Sequence, residues 1–449
     1  MTPPFAFEPL LLFGFFSVLL LAGVLLRARV GFLQKMLFPA SLIGGVIGLG
    51  VINLHGFGLD ADLIKAFAYH FFNISFISVG LTPPAFEPGT AGRQAVMFRG
   101  SAWMALLQAA TFTLQALVGA GFVFLFALAG TDLFESFGFL VPLAFNEGPG
   151  QALSLGRAWE AYGFADASTI GLTFAAIGFF FAFFAGVPLA NLGLKRKQFQ
   201  KKSPGRFFLR GILPTGQEAG SAGKVTTHSS NVDCLAFHLA QVGLAYLVTY
   251  FLMLGLTWWA PPDAGGILWG FFFLFGLVVA IVLRRLTGIT GFARLTDPGL
   301  QRRITGMSID YLIVATGCGI ELLVVWQHAL PIALMAISAG ILTTVLVVVL
   351  GTRLSDYRLE RIVAMYGVVT GTVSCGLLLL RVVDPELDSP AAREIGFMNI
   401  FAVPVVGGLT FFLNVPLWWG WSLAGTCLVL FGVFLFSMVI LWQRRLWGH

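Results

Sequence analysis

Two stretches of this sequence decide its fold: Asn146-Glu147-Gly148-Pro149-Gly150-Gln151 and Thr370-Gly371-Thr372-Val373-Ser374-Cys375-Gly376. They interrupt two apolar runs, 137–155 and 362–380, with glycine and polar residues that break an apolar helix. Such backbone is tolerated at membrane depth only where it is buried in protein or lines a wet cavity. We therefore predict one re-entrant hairpin at 137–156 and a second at 362–380.

The composition around these stretches is that of a membrane protein. Hydrophobic residues make up 57% of the 449 positions and charged residues 11%, against about a quarter charged in a soluble domain. Apart from the two interrupted runs, eleven apolar runs have roughly the 20-residue length that a helix needs to cross the hydrocarbon. They are 9–26, 37–54, 64–81, 95–128, 168–192, 234–259, 267–283, 307–325, 330–350, 395–413 and 417–441.

The basic residues fix the predicted topology. If both hairpins leave on the side they entered and the amino terminus is outside, all Lys and Arg residues except Lys65 and Arg157 fall in cytoplasmic segments. If either hairpin instead crossed the membrane, every later loop would lie on the opposite side. The concentration of basic residues in the cytoplasmic segments would then be lost. The positive-inside rule therefore predicts eleven spans, with the amino terminus outside and the carboxyl terminus in the cytoplasm.

The order of elements repeats within the chain. A basic, then Gly/Ser/Thr-rich segment at 193–232 separates an N-terminal half, 1–192, from a second half, 233–415, and 416–449 adds one more span. A shift of 224 residues places Gly148 on Thr372 and Arg157 on Arg381. Because five spans precede the linker, the second half starts from the opposite face. The predicted fold is an all-α polytopic membrane protein with two inverted five-helix repeats, each with a hairpin, plus one extra C-terminal span.

The hairpin tips supply most of the candidate binding residues. Broken helices at mid-membrane offer free N–H groups to anions and free carbonyls to cations. The alternative is that these polar residues only satisfy the hairpins' own backbone. The candidates for substrate or ion binding are Asn146, Glu147, Gly148, Gly150, Gln151, Thr370, Gly371, Thr372 and Ser374.

Further polar residues lie within the predicted spans. A carboxylate in the membrane is costly unless it is paired or hydrated, so Glu147 and Asp310 are candidate sodium ligands, although pairing with a nearby arginine explains Asp310 equally well. Asn73, Ser75 and Ser78 are candidate cavity residues or, alternatively, hydrogen bonds between helices. The sequence contains none of the catalytic triads, zinc motifs or phosphate loops of enzymes, and the basic residues lie in loops, which argues against nucleic acid as a partner.

Several of these stretches resemble the bacterial sodium/glutamate symporter family. The resemblance covers roughly residues 8–415 and is carried by Phe38-Pro39-Ala40-Ser41-Leu42-Ile43-Gly44-Gly45, by 71–81, by the first hairpin through Tyr162-Gly163-Phe164, by Tyr357 and by 403–407. It implies sodium-coupled uptake of glutamate in the bacterial inner membrane, by homodimers in which a core moves past a scaffold. Glu147 and Pro149 depart from that family's hairpin, which looks like Ser-Gly-Gly-His-Gly-Thr-Gly.

The sequence thus predicts a secondary active transporter. The expected activity is sodium-coupled symport of glutamate or a related small carboxylate by an elevator-type mechanism, with sodium as coupling ion and no other cofactor. Two alternatives are a proton-coupled antiporter or exporter of another small solute, and a channel. The expected partners are the small anionic substrate, sodium, the lipid bilayer and a second copy of the chain.

Overall fold

A computed structural model describes residues 5–55, 59–83, 91–195, 209–211, 223–259, 265–385, 387 and 389–443. Its described secondary structure is helical throughout. The helices are α1 Glu8–Arg29, α2 Gly31–Lys35, α3 Ala40–His55, α4 Ala61–Leu81, α5 Ala91–Leu128, α6 Leu140–Phe145, α7 Pro149–Glu160, α8 Ala167–Phe184, α9 Gly186–Lys195, α10 Cys234–Trp259, α11 Gly265–Gly270, α12 Phe272–Ile289, α13 Pro298–Cys318, α14 Leu322–Gln327, α15 Ala329–Gly351, α16 Arg358–Thr370, α17 Val373–Val383, α18 Ala391–Phe412, α19 Val415–Trp419 and α20 Leu423–Gln443.

The protein is an all-α, multi-pass membrane protein, as predicted. Within the described ranges, eight helices are long and apolar enough to cross a bilayer: α1, α4, α5, α8 with α9, α10, α12, α15 and α20. A ninth, α18, is bent by 53° between Ala391–Asn399 and Pro404–Phe412, and an internal proline removes a helical hydrogen bond there. Helix α3 is apolar but has only 16 residues. Helix α13 is long enough, but Arg302, Arg303 and Asp310 lower its hydropathy.

One predicted span is displaced along the chain. The run 307–325 was expected to be continuous, whereas α13 begins nine residues earlier and ends at Cys318. Its start is set by Asp297, whose carboxylate accepts a hydrogen bond from the N–H of Leu300, and by Pro298 in the first turn. Gly319 follows its end, and α14 continues the run as a separate helix. Apolar periodicity alone could not reveal a helix start that a polar cap decides.

The linker predicted at 193–232 is described only in part. Helix α9 continues into it as far as Lys195, and residues 209–211 and 223–232 are also described. Most of its basic run lies outside the described residues. The same holds for 1–4 and 444–449 at the two termini.

The helices pack as two bundles. One, which we call the hairpin bundle, contains α5–α9, α15–α18 and α20; the other, the crossing bundle, contains α1, α3, α4, α10, α12 and α13. Glycines let helices approach closely in the crossing bundle, as where Gly45 of α3 lies against Gly317 of α13 and Gly80 of α4 lies against Ala280 of α12. Small residues at helix contacts are typical of membrane bundles.

Helix α5 is the axis of the hairpin bundle. Its 38 residues span about 57 Å at 1.5 Å per residue. Gly119 lies against Gly138 at the start of the first hairpin, and Gly100 lies against Glu394, beyond the second. The two hairpins therefore approach α5 from opposite ends.

Candidate functional site at the hairpin tips

The first hairpin, α6 and α7, turns back on itself. Phe134 and Phe137 precede it, and Phe164 follows it. The ring centroid of Phe164 lies 4.6 Å from that of Phe134 and 5.6 Å from that of Phe137. Its break lies at residues 146–148, between the end of α6 and Pro149. Because its beginning and end meet, the segment folds as a helical hairpin.

The second hairpin, α16 and α17, has the same form. Gly367 and Gly376 face each other across it, so closely that a Cβ on Gly367 would lie 2.7 Å from the Gly376 backbone. At its base, Arg361 of α16 donates two hydrogen bonds, of 2.8 and 2.6 Å, to the carboxylate of Glu394 in α18. Both members of this ion pair are buried. The glycine contact thus closes the hairpin itself, and the ion pair ties its base to α18.

The breaks of the two hairpins meet. A Cβ added to Gly148 would lie 2.9 Å from Cγ2 of Thr372 and 3.3 Å from the carbonyl oxygen of Gly371. Gly148 has φ +92°, a conformation that favours glycine because it has no Cβ. On the other side of the first break, Gly150 lies against the ring of Phe72 in α4. Glycine is therefore required here both for conformation and for close approach.

Polar residues on α5 bond to both hairpins at this level. The amide nitrogen of Asn146 donates to Oγ1 of Thr111 at 2.9 Å. The amide nitrogen of Gln115 donates to the carbonyl of Val369, near the second break, at 3.0 Å. Because Thr111 and Gln115 lie close to the middle of α5, the meeting point of the hairpins is about halfway along this helix.

These hydrogen bonds leave amide oxygens without partners. A backbone carbonyl can only accept, so the bond to Val369 fixes which end of the Gln115 amide points to it. Thr111 uses its hydrogen on the carbonyl of Leu107 and likewise only accepts from Asn146. Among the buried side-chain oxygens without a hydrogen-bond partner in the described part of the chain, four belong to amides of α5 and of the first hairpin tip: Oε1 of Gln108, Oε1 of Gln115, Oδ1 of Asn146 and Oε1 of Gln151. Buried polar atoms are nearly always paired, and oxygen ligands without donors suit a hard cation.

Glu147 adds a carboxylate to this site. It is partly exposed, while its neighbours Asn146 and Gly148 are buried. The side chain of Gln151, one turn into α7, lies close to this carboxylate. Among the residues that the structure describes, no Lys, Arg or His forms an ion pair with it. The carboxylate is therefore available to a cation or a proton.

The structure brings some of the predicted residues together and leaves others apart. Asn146, Glu147, Gly148, Gly150, Gln151, Gly371 and Thr372 lie at the meeting hairpin tips. Thr370 bonds the carbonyl of Tyr366 in its own helix, and Ser374 is half-buried in the first turn of α17.

The remaining predicted residues lie on the crossing bundle. Ser75 donates to the carbonyl of Phe72 in its own helix, and Ser78 donates to Gln301 of α13. Asn73 is buried beside Tyr69 and Tyr246, and neither polar atom of its amide has a hydrogen-bond partner within the described ranges. Asp310 is exposed on α13, beside Ser41 of α3. Ser75 and Ser78 thus make polar bonds within and between helices, whereas Asn73 remains a candidate cavity residue.

Sequence reasoning missed the contribution of α5. Gln108, Thr111 and Gln115 are spaced at i, i+3 and i+7, which places them on one face of a helix. That face is buried, and polar residues within a membrane helix are functional candidates by default. This spacing was the available signal.

Comparison of the chain with protein-family models, with curated proteins and with solved structures gives no match.

Proposed function

We propose that this chain is a secondary active transporter, in which two re-entrant hairpins from opposite faces of the membrane hold a small solute and a coupling cation. The observation that carries the proposal is the contact of Gly148 with Thr372 and Gly371, at the breaks of the two hairpins. Transporters of many folds place their site at mid-membrane between discontinuous helices.

An inverted repeat of five spans, with one extra span at the carboxyl terminus, accounts for the helix positions. Helices α7 and α17 start at Pro149 and Val373, and α8 and α18 start at Ala167 and Ala391, so each pair is 224 residues apart. Gly148 and Thr372 share this spacing and touch each other, as equivalent residues do near a two-fold axis. With α3 and α13 counted as spans, the chain crosses the membrane eleven times.

The ends of the two hairpins also correspond. Glu160, at the end of α7, accepts the N–H of Ser168 at 3.1 Å, and Asp384, at the end of α17, accepts the N–H of Ser389 at 2.8 Å. Glu160 and Asp384 are again 224 residues apart. Each carboxylate ties its hairpin to the segment that follows, which supports a duplicated unit.

Sodium is the proposed coupling ion. Its ligands would come from one carboxylate oxygen of Glu147 and from the unpartnered oxygens of Gln108 and Gln115 on α5. Their chemistry fits a hard monovalent cation, which prefers oxygen ligands. Asp310 lies among none of these contacts and is left out of the proposed ion site.

The two bundles suggest how transport proceeds. The hairpin bundle holds the proposed site, and it contacts the crossing bundle through small or aromatic residues, such as Gly150 against Phe72 and Gly319 against Leu172. We propose an elevator movement, in which the hairpin bundle slides along the crossing bundle with solute and cation bound. A homodimer joined through the crossing bundles would supply the fixed support, in a bacterial inner membrane.

Uptake by proteoliposomes tests this function. Purified protein is reconstituted and given an inward sodium gradient, an inward proton gradient or neither, with a panel of radiolabelled carboxylates and amino acids outside. We expect saturable uptake that requires sodium and is abolished by Glu147→Gln but retained by Glu160→Gln. Uptake driven by the proton gradient alone would instead support the proton-coupled alternative, and unitary conductance in planar bilayers would support a channel.

A further inference from the structure

Resting on the transport function proposed above, we propose that the carried solute is a zwitterion without net charge: an amino acid with a neutral side chain. Its carboxylate would bind the N-terminus of α7 and its ammonium group would bind Glu147. The solute class differs from the glutamate that the sequence resemblance implied. It follows from the charges around the first hairpin tip.

The N-terminus of α7 offers the N–H groups of Gly150 and Gln151 as free hydrogen-bond donors, since Pro149 has no N–H and the N–H of Ala152 bonds the carbonyl of Gly148. The first N–H groups of a helix lack partners within the helix and favour an anion. Gly148, in the capping position, has no side chain, and α7 has no side-chain cap, whereas Thr372 caps the N–H of Cys375 at the start of α17. Of the two hairpin helices that begin at the meeting point, α7 is therefore the one with uncapped donors.

A second observation points to a ligand at the same place. Gln151 lies in the first turn of α7, is 1% exposed and carries an unpartnered Oε1. Its side chain lies close to the carboxylate of Glu147, beside the helix start. The buried amide oxygen lacks a donor there, and an ammonium group supplies donors.

Glu147 and the amide oxygens form the cation-binding side. Glu147 precedes the α7 donors by three residues and has no ion pair among the described residues. The unpartnered Oδ1 of Asn146 is adjacent in the chain. Donors for a carboxylate and acceptors for an ammonium group thus flank the same helix start, and an α-amino acid carries both groups on one carbon.

The charge balance excludes a second carboxylate on the solute. Glu147 and one sodium ion cancel, and a zwitterion adds no net charge, so the loaded site is neutral. The side-chain carboxylate of glutamate would leave one buried negative charge, which is costly in a membrane protein. In the described part of the chain, Arg157 pairs with Asp62 and Glu160, and Arg361 pairs with Glu394. Of the other basic residues of the hairpin helices, Arg358 donates to the carbonyl of Leu354, and Arg381 is exposed in the last turn of α17, away from the meeting tips.

Thermal unfolding of the purified full chain tests this inference. Melting temperatures are measured in sodium chloride and in choline chloride, with L-alanine, L-serine or L-glutamine, and with L-glutamate or succinate. A ligand that binds only the folded state raises the melting temperature. We expect a rise of at least about 2 °C with one or more neutral amino acids in sodium, and none with glutamate or succinate.

Ligand analogues and a variant locate the two contacts. N-acetyl-L-alanine lacks the ammonium group and L-alaninamide lacks the carboxylate, so neither should stabilise the protein. Glu147→Gln should lose the effect of the neutral amino acids, whereas Glu160→Gln, at the far end of α7, should keep it. The analogues require no variant, so a misfolded Glu147→Gln does not remove the test.

The outcomes separate this inference from the transport function. The proposal that the solute is a neutral amino acid is overturned by either of two results. One is that glutamate or succinate stabilises the protein as much as the neutral amino acids do, and the other is that none of the three neutral amino acids stabilises it. In either case, sodium-driven uptake of another carboxylate in proteoliposomes would leave the transporter intact. If sodium neither stabilises the protein nor drives any uptake, the proposed function itself fails.

Discussion

Buried amide side chains at the hairpin tips are oriented by groups that can only accept a hydrogen bond. Gln115 donates to the carbonyl of Val369 and to Oγ1 of Thr343, at 3.0 and 3.1 Å. Its oxygen is thereby directed away from these partners and left unpaired. A buried oxygen without a hydrogen-bond partner destabilises the folded protein unless a ligand binds it. A cation bound by these amide oxygens would therefore stabilise the protein.

Gln115→Leu should reduce the stabilisation that sodium gives. The substitution removes one proposed cation ligand and leaves the Val369 carbonyl without a donor, at a cost of about 1–3 kcal/mol. The matched control is Thr113→Val, because Thr113 is equally buried but bonds only carbonyls of its own helix. Melting temperatures with and without sodium provide the measurement. An unchanged sodium effect in Gln115→Leu would exclude this amide from the ion site.

The Arg361→Gln variant should unfold far more readily than the Arg157→Gln variant. The pair Arg361–Glu394 is buried, and removing one member leaves an unpaired buried charge, at a cost of about 3–5 kcal/mol. Arg157 pairs with Asp62, and both side chains are more than half exposed, so its loss should cost at most about 1 kcal/mol. Chemical or thermal unfolding in detergent compares the two variants. Equal losses would mean that Glu394 finds water or another donor.

At the scale of elements, glycine determines how the hairpins close and meet. Gly367 and Gly376 allow α16 and α17 to touch backbone to backbone, and Gly148 allows the first hairpin to reach Thr372. A helical segment with a side chain at these positions would be held apart by the volume of that side chain. The glycines at and near the breaks therefore allow close packing of the hairpins, and the breaks also expose free backbone polar groups.

Gly148→Ala should impair transport while the chain still folds. A non-glycine residue at φ +92° is strained by about 1–3 kcal/mol, and the new Cβ would press on Thr372. The matched control is Gly396→Ala, since a Cβ there meets no atom within 4 Å. Initial uptake rates and expression levels are compared for both variants. Wild-type uptake by Gly148→Ala would show that the tips need not be in contact for transport.

At the scale of the whole molecule, the proposed inverted repeat predicts on which side of the membrane each hairpin begins and ends. Gly163 follows the first hairpin and Asp356 precedes the second, and both are exposed. If the hairpins enter from opposite faces, these two loops lie on opposite sides of the membrane. The same arrangement puts the bases of the hairpins far apart and their tips together.

Cysteine labelling measures this sidedness. Single cysteines at Gly163 and Asp356 are introduced after replacement of Cys234, Cys318, Cys375 and Cys427. In intact cells, a membrane-impermeant maleimide should react with the cysteine at 163 and not with that at 356, and inverted vesicles should reverse the result. Labelling of both positions from one side would end the inverted repeat and the transport proposal with it.

The sequence by itself determined the class of fold and the places where helices break. Its hydrophobic runs set the spans, because a bilayer accepts only long apolar helices, and the glycine and polar residues at 146–151 and 370–376 marked the hairpins. Only the tertiary structure decided which polar residues share a site. It placed Gln108 and Gln115 of α5 beside both tips and moved Ser78 to a bond with Gln301. A sequence records which residues are polar, but the partner of each depends on helix rotation and crossing, which are set by packing between segments distant in the chain.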